Sequence, residues 1–206
     1  MLRPLLAAAV LSLSLPAAAG VALTEEDFRL YCGYLDAIGK PDIQKLKGKA
    51  RDAKIAKLAK VKPAALSTAV DNGQKAGSTC DEIGKTAAAD ARGALDKALP
   101  GRITFFELDH TDPSHVVARV SWLGIDKRKL VEEAALVASI LAEAAPITKT
   151  IALRGVNPSA ADPTADDAGW FDAKISRLNA SRIEKPKIWE YATTRYKRLF
   201  DGIVER

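Results

Sequence analysis

Hydrophobic residues between positions 22 and 98 recur at helical spacing, which predicts an all-helical first half of the chain. Thr24, followed three residues later by Asp27, resembles a capping box with Asp in place of Glu, and predicts the start of a helix. The apolar side of this helix is formed by Phe28, Leu30, Tyr31 and Leu35. Residues 39–41 interrupt the pattern, and Pro41 suits the first turn of a second helix.

The second predicted helix has an apolar side made up of Ile43, Leu46, Ala50, Ala53, Leu58 and Val61. Pro63 ends that helix or begins another, which carries Leu66. A turn is expected at 72–77, where asparagine and two glycines occur, and a last helix at 78–99. Segment 20–100 is therefore predicted to be an antiparallel helical hairpin or small bundle.

The hydrophobic period changes from helical to alternating at Pro100–Gly101, which marks the clearest domain boundary in the chain. In the first alternating segment, Ile103, Phe105 and Glu107 are expected to face one way, and Thr104, Phe106 and Leu108 the other. In the second, the apolar positions are Val116, Ala118, Val120 and Trp122. The two segments predict a β-hairpin with one largely apolar face.

Asp126 is a candidate cap for a heavily buried helix over 127–144, after which two more alternating segments flank a polar loop at 155–169. Pro186 begins a final predicted helix, with Ile188, Ala192, Leu199, Phe200 and Ile203 on its apolar side. The order strand–strand–helix thus occurs twice. It predicts an α+β domain over 101–206: a four-stranded, mainly antiparallel sheet (ββαββα) with two helices on one face.

The first nineteen residues have the pattern of an export signal. Arg3 precedes an apolar stretch of eleven residues from Leu5 to Leu15, and small residues at 17–19 suit signal-peptidase cleavage. A membrane span needs roughly 20 apolar residues, so this stretch is too short to act as an anchor. We expect residues 1–19 to be a cleaved signal peptide and the mature protein to be periplasmic or secreted, without a transmembrane segment.

Export bears directly on the two cysteines, Cys32 and Cys80, because an oxidising compartment favours their pairing. A disulfide between them would close a loop of 48 residues. The chain-entropy treatment gives such a loop about 4 kcal/mol of stabilisation. The disulfide would connect the first helix to the start of the last helix in segment 20–100.

Composition excludes some classes of function. Hydrophobic residues make up 48% of the chain, which is too many for a disordered protein. The net charge of +5 falls to about +4 without Arg3, which is too mild to favour nucleic acid as a partner.

Two common catalytic and nucleotide-binding motifs are absent from the sequence. Gly84-Lys85-Thr86 lacks the glycine that a phosphate-binding loop needs at position 79, and there is no G-x-S-x-G motif. No cofactor is predicted.

Two groups of residues in the second half are candidates for ligand binding. The turn from His110 to His115 holds both histidines of the chain, and His110, Asp112 and His115 could bind Zn²⁺ or Cu²⁺. The same turn is also explained by the ordinary turn preferences of Asp and Pro. The second group is an aromatic cluster, formed by Trp122, Trp170, Phe171, Trp189, Tyr191 and Tyr196, which could stack on a small ligand or belong to the core.

Basic residues concentrate between positions 40 and 62, where nine Lys and Arg accompany only two acidic residues. The candidate surface-binding residues in this region are Lys45, Lys49, Arg51, Lys54 and Lys57. Further candidates are Arg119, Arg154 and Lys174, which are expected on the polar face of the sheet with Ser121, Thr148, Thr150 and Ser176. A one-residue slip in register would move them to the opposite face.

These patterns predict an exported, non-catalytic binding or assembly protein that contacts a protein partner or an envelope surface. A metal- or small-ligand-binding module that uses the histidine turn or the aromatic cluster is one alternative. A hydrolase with carboxylate chemistry is the other, and it would require two convergent acids in a deep pocket.

Overall fold

The computed structural model describes residues 23–185, 188 and 194–206, so the predicted signal peptide lies outside the described residues. The longer helices are α1 (Glu25–Ile38), α3 (Gly48–Leu58), α4 (Pro63–Ala76), α5 (Cys80–Ala98) and α6 (Leu130–Ala144). The short helices are α2 (Pro41–Gln44), α7 (Arg177–Ala180) and α8 (Thr194–Lys197). The strands are β1 (Ile103–Asp109), β2 (Val117–Leu123), β3 (Thr150–Val156), β4 (Gly169–Ser176) and β5 (Asp201–Glu205).

Helix α1 begins where the capping pattern predicts, because the Thr24 side chain accepts a hydrogen bond from the Asp27 amide at 3.1 Å. Helix α5 begins in the same way, with Thr79 accepting from the Glu82 amide at 3.1 Å. Each cap satisfies an amide that has no partner inside its helix. Local side chains therefore determine where the first and the last helix of the predicted helical segment begin.

The prediction of one helix from Pro41 to Val61 is wrong, because the chain breaks into α2 and α3 at residues 45–47. Gly48 begins α3 with a φ of 54°. In a continuous helix, Ile43 and Ile55 would point about 120° apart. The break lets both side chains be buried, at 0% and 3% exposure.

The turn predicted at 72–77 is also shorter than expected, because α4 continues to Ala76 and ends at Gly77. Gly73 lies inside this helix, directly against the ring of Tyr31: a β-carbon there would be 2.2 Å from the ring. The glycine thus allows α1 and α4 to approach closely.

The disulfide between Cys32 and Cys80 is confirmed, with an S–S distance of 2.08 Å and a Cα–Cα distance of 5.8 Å. It joins the middle of α1 to the first residue of α5. Because α5 also packs against α6 and β1, the disulfide connects α1 to the helix layer of the sheet.

The α+β class is confirmed, but the sheet has five strands rather than four, and it is a mixed sheet in which three of the four neighbouring strand pairs are antiparallel. The strand order is β1-β2-β3-β4-β5. Strands β2 and β3 are parallel and the other neighbours are antiparallel. The parallel pair arises because α6 forms the crossover between β2 and β3. The sequence pattern predicted a hairpin for β1 and β2 and did not indicate that β2 and β3 are parallel neighbours.

The fifth strand replaces part of the final predicted helix. Residues 201–205 pair with β4, and Gly202 has a φ of 67°, which an α-helix does not accommodate. Of the residues predicted on the apolar side of that helix, Ala192 lies outside the described residues and Ile203 lies in β5. Leu199 and Phe200 precede the strand and still contribute apolar surface to the core.

The first strand departs from simple alternation. A register shift between Ile103 and Phe105 puts Ile103 in the core together with Leu108, whereas Phe105 and Glu107 stay exposed. Ile103 was predicted to face the same way as Phe105. The bulge explains the difference, because one extra residue reverses the facing of the residues before it.

One large core lies between the sheet and its helices, and a smaller one lies within the first helices. The large core contains buried residues of β1 to β4, α5 and α6, including Trp122, Leu141 and Phe171. The small core is formed by Leu30, Tyr34, Ala37, Ile43, Ile55, Ala56, Leu66 and Ala69. Helix α5, which lies in the predicted segment 20–100, therefore shares its core with the sheet of the predicted domain 101–206.

Candidate functional site

The face of the sheet turned away from the large core carries a regular array of polar side chains. Register defines one row across the strands, formed by Glu107, Arg119, Ala152, Lys174 and Asp201. The next row is formed by Phe105, Ser121, Arg154, Asp172 and Val204. Side chains opposite each other on paired strands lie on the same face, so both rows belong to one surface.

Three of the candidate surface-binding residues, Arg119, Arg154 and Lys174, lie on this face. Thr148, which was expected with them, is fully buried instead. Thr148 lies in a turn before β3, where its amide donates a hydrogen bond to the carbonyl of Ala145. Because it is outside the strand, the alternation of strand side chains does not apply to it.

A groove of about 420 Å³ crosses this uncovered face of the sheet. Its floor contains two small side chains from the central strands, Ser121 and Ala152. Phe105 of β1, 45% exposed, lines it, as do Pro163 and Thr164 of the loop after β3. The remaining lining residues are Thr104, Arg119, Val120, Leu153 and Arg154. We call this feature the sheet groove.

The loop after β3 is held against the sheet by arginines. The Arg154 guanidinium donates to the carbonyls of Ala165 at 2.6 Å and Asp166 at 2.9 Å. Arg206 donates to the same Asp166 carbonyl at 2.9 Å. Within the loop, the hydroxyl of Thr164 donates to Asp162 and lowers the pKa of that carboxyl group. Arg154 is thus a positioning residue for one wall of the sheet groove.

Charges along the groove are largely balanced by neighbours. Arg119 lies 2.9 Å from the Glu107 carboxylate and 3.4 Å from that of Asp109. A hydrogen bond from the Thr111 hydroxyl, together with Arg119, lowers the pKa of Asp109. Lys174 lies opposite Asp201 in the register. The surface therefore offers an apolar depression bordered by paired charges rather than a strong field of one sign.

The predicted metal-binding turn is divided between two environments. His110 packs over Gly84 of α5, where a β-carbon would lie 2.2 Å from the imidazole ring. Its Nδ1 is 3.1 Å from the Leu108 carbonyl and its Nε2 is 3.4 Å from a carboxylate oxygen of Asp81. A hydrogen bond from Lys85, and a smaller contribution from His110, lower the pKa of Asp81. This histidine therefore connects β1 to the first turn of α5.

Asp112 and His115 lie in the turn itself. Asp112 accepts hydrogen bonds from the amide and hydroxyl of Ser114, which lower the pKa of the Asp112 carboxyl group. His115 is exposed. Across residues 23–185, 188 and 194–206, no three His, Cys, Asp or Glu side chains are close enough together to hold a metal ion.

The described rings of the aromatic group belong mainly to the core. Trp122 and Phe171 are fully buried, with ring centroids 6.4 Å apart, and Phe200 meets Phe171 edge-on at 6.5 Å. Tyr196 is 2% exposed and Trp170 is half-buried. Trp189 and Tyr191 lie outside the described residues.

A buried carboxylate in α6 was not identified from the sequence. Glu133 is 1% exposed, and it accepts hydrogen bonds from Trp122 Nε1 at 2.9 Å and Arg102 Nη2 at 2.7 Å. The Ile125 amide approaches the same carboxylate at 3.4 Å. Arg102 also donates twice to the Leu123 carbonyl, at 2.8 and 2.5 Å. This network fastens α6 to the ends of β1 and β2.

Comparisons with protein-family models, with curated proteins and with solved structures find no match to this chain. None of the helices in the described part of the chain is long and apolar enough to cross a membrane.

Proposed function

We propose that this chain is a non-catalytic, exported binding or assembly protein, and that its uncovered sheet face contacts a protein partner. The observation that carries the proposal is the sheet groove, a depression of about 420 Å³ on the uncovered β-surface. Among the described residues, helices pack on one side of the sheet only, so the other side is open to contact within that part of the chain. A sheet of this kind exposes a rigid surface whose side-chain positions are determined by register.

The chemistry of the groove favours insertion of an apolar side chain from the partner. Phe105 and Pro163 supply apolar walls, and Ala152 leaves the space between them open. Protein interfaces typically have an apolar anchor in a pocket that is surrounded by polar groups. Here the surrounding polar groups include the Arg119–Glu107 pair and Lys174.

The lining of the groove also supports binding rather than catalysis. Among the described residues that form it, the polar groups are two arginines, Ser121 and two threonines. General acid–base chemistry ordinarily requires an imidazole or carboxyl group within hydrogen-bond reach of the substrate. Glu133, the buried carboxylate nearest to the core aromatics, is already engaged by Trp122 and Arg102.

The proposal of export depends on residues 1–19 and is supported by the disulfide. A signal-peptide pattern places the mature chain in an oxidising compartment, where disulfides persist. The Cys32–Cys80 bond is consistent with such a compartment. N-terminal sequencing of the purified protein tests this part directly, because cleavage after Ala19 gives a chain that begins at Gly20.

The binding face is tested by cross-linking inside the producing cell. A photoreactive amino acid replaces Ser121 in the groove, and in a separate protein it replaces Leu178, an exposed residue at 61% in α7. We expect a discrete cross-linked product from position 121 and none of the same mass from position 178. Ala152→Phe, combined with the probe at 121, fills the groove and should abolish that product.

Val117→Phe is the matched control, because it adds the same aromatic ring to the same face of the sheet, on β2 rather than β3, outside the groove lining. Aromatic residues are favourable in strands, so both variants should keep the fold, which the melting temperature checks. An identical cross-linking pattern in the Ala152→Phe protein and the parent would contradict the proposal. Loss of the product in both variants would contradict it as well.

A further inference from the structure

Positive charge in the described chain is concentrated on α3 and on the residues that flank α2 and α3. Residues 40–62 contain eight lysines and one arginine against two acidic residues. Both acidic residues are neutralised locally: Asp42 pairs with Lys54 at 2.9 Å and Asp52 pairs with Arg51 at 3.3 Å. Lys40 pairs with Asp36 at 2.8 Å. The remaining lysines therefore dominate the charge of this segment.

Six lysines of this segment are exposed and contact no carboxylate within the part of the chain that the structure describes. They are Lys45, Lys47, Lys49, Lys57, Lys60 and Lys62, and we call them the lysine surface. Leu58 lies among them, with 63% of its surface exposed. Lys54, Lys57 and Leu58 are neighbours on α3, because residues three and four apart share a helix face.

We propose that the lysine surface binds the anionic headgroups of a phospholipid membrane. Charge complementarity is the first argument, since six exposed cations on one segment need a partner that carries many negative charges. A bilayer with anionic lipids provides such a partner, and each lysine near it strengthens binding about fivefold. The exposed Leu58 supplies an apolar contact beside these charges, as in other proteins that lie on the membrane surface.

The use of lysine rather than arginine favours a membrane over an acidic protein. Lysine carries a compact, flexible point charge, which suits headgroups without a defined arrangement. Arginine forms the planar two-pronged contacts that well-defined carboxylates favour. Arg51, the one arginine of the segment, is engaged inside the protein: it donates to the Tyr34 hydroxyl at 2.9 Å, and its guanidinium lies 5.7 Å from the centre of that ring.

This inference rests on the proposed export only in one respect, because export determines which membrane the protein meets. Its test needs no protein partner. The full chain is mixed with vesicles of phosphatidylcholine alone or of phosphatidylcholine with phosphatidylglycerol, and the bound fraction is measured by co-sedimentation. We expect binding to the anionic vesicles and its loss at high salt, because screening weakens contacts between exposed charges. Residues 1–22 are the same in every variant, so they contribute equally throughout.

The deciding variant replaces Lys45, Lys47, Lys49 and Lys57 with glutamine. Its matched control replaces four exposed lysines elsewhere, Lys75, Lys97, Lys127 and Lys129, and lowers the net charge by the same amount. We expect the first variant to bind the anionic vesicles at least about 25-fold more weakly than the parent, because the loss of only two of the four contacts, at about fivefold each, gives that factor. The control should stay within about threefold of the parent, and Leu58→Gln should weaken binding further.

Three results would overturn the proposal: no binding to anionic vesicles at low salt, equal binding to neutral vesicles, or equal weakening by the control. Binding to polyglutamate but not to vesicles would assign an acidic protein partner instead. Failure of the Ser121 cross-link with intact vesicle binding would refute only the sheet-face proposal, and the converse result would refute only this one.

Discussion

Removal of the buried Glu133 carboxylate should destabilise the protein strongly, because two hydrogen-bond donors lose their acceptor at once. Glu133→Ala deprives Trp122 Nε1 and Arg102 Nη2 of that acceptor. Trp122 is fully buried and has no access to water, so its orphaned donor costs about 1–3 kcal/mol. Arg102 is 20% exposed on its side chain and keeps two bonds to the Leu123 carbonyl, which puts its loss near the lower end of that range.

Together with the cavity left by the side chain, these losses predict a decrease of about 4 kcal/mol in the free energy of unfolding. Glu133→Gln should cost about 2 kcal/mol, because the amide oxygen can still accept from Trp122 while the amide nitrogen opposes the Arg102 guanidinium. Glu143→Gln is the control in the same helix, where an exposed pair with Lys185 is replaced and less than about 1 kcal/mol is expected.

Urea unfolding followed by tryptophan fluorescence, with the disulfide intact, measures all three values. A loss below about 1 kcal/mol for Glu133→Ala would refute the reasoning, since it would mean that water satisfies both donors. Equal losses for Glu133→Ala and Glu143→Gln would refute it as well, because burial would then have no influence.

The remaining predictions concern the helical half. Reduction of the disulfide should lower the free energy of unfolding by about 4 kcal/mol, measured by urea titration with and without reductant. Gly84→Ala should destabilise by about 1–3 kcal/mol because its methyl meets the His110 ring, whereas Gly93→Ala in the same helix meets nothing and should stabilise by about 0.5–1 kcal/mol; equal effects in thermal melts would contradict this. Lys85 lowers the pKa of Asp81 below its ordinary value of 3.8. The charged carboxylate therefore stabilises the folded protein above pH 3.8, and this stabilisation is lost as the pH falls through the lowered pKa. Asp81→Asn should remove this dependence and flatten the acid-unfolding curve in that pH range.

Local features of the fold were predictable because short-range contacts determine them. Thr24 and Thr79 cap α1 and α5 through residues three positions away, so a four-residue window contains the whole interaction. The disulfide followed from the cysteine count and the inferred compartment. Alternation over Val116 to Trp122 assigned the buried face of β2, because a strand's side-chain period is two.

Features that depend on distant residues were not predictable in the same way. The parallel pairing of β2 with β3 requires the two strands to be adjacent across α6, and the strand patterns alone are equally compatible with two hairpins. The break before Gly48 allows both Ile43 and Ile55 to be buried in the small core, to which other helices also contribute. Strand β5 exists because β4 offers it an edge.

The sheet groove illustrates the same limit at the candidate site. Arg119, Arg154 and Lys174 were assigned to the polar face from alternation. The depression itself arises because register pairs Arg119 with Ala152 and so places Ser121 diagonally across from Ala152, next to the loop after β3. That loop is positioned by Arg154, a residue whose charge alone suggested only surface contact. In the sequence, Ser121 and Ala152 are only small residues within two alternating segments, and alternation alone does not show that they become neighbours.

The two proposed binding surfaces belong to different packing units, which makes their tests independent. The lysine surface lies on α3 and on the residues that flank α2 and α3, and the buried Ile43, Ile55 and Ala56 of these helices pack in the small core. The sheet groove lies on strands that pack in the large core. Substitutions of exposed lysines around the small core remove no buried contact of the large core, so they should leave the sheet groove unchanged. We therefore expect a protein with the lysine surface and the sheet groove both intact to bind a membrane and a protein partner at the same time.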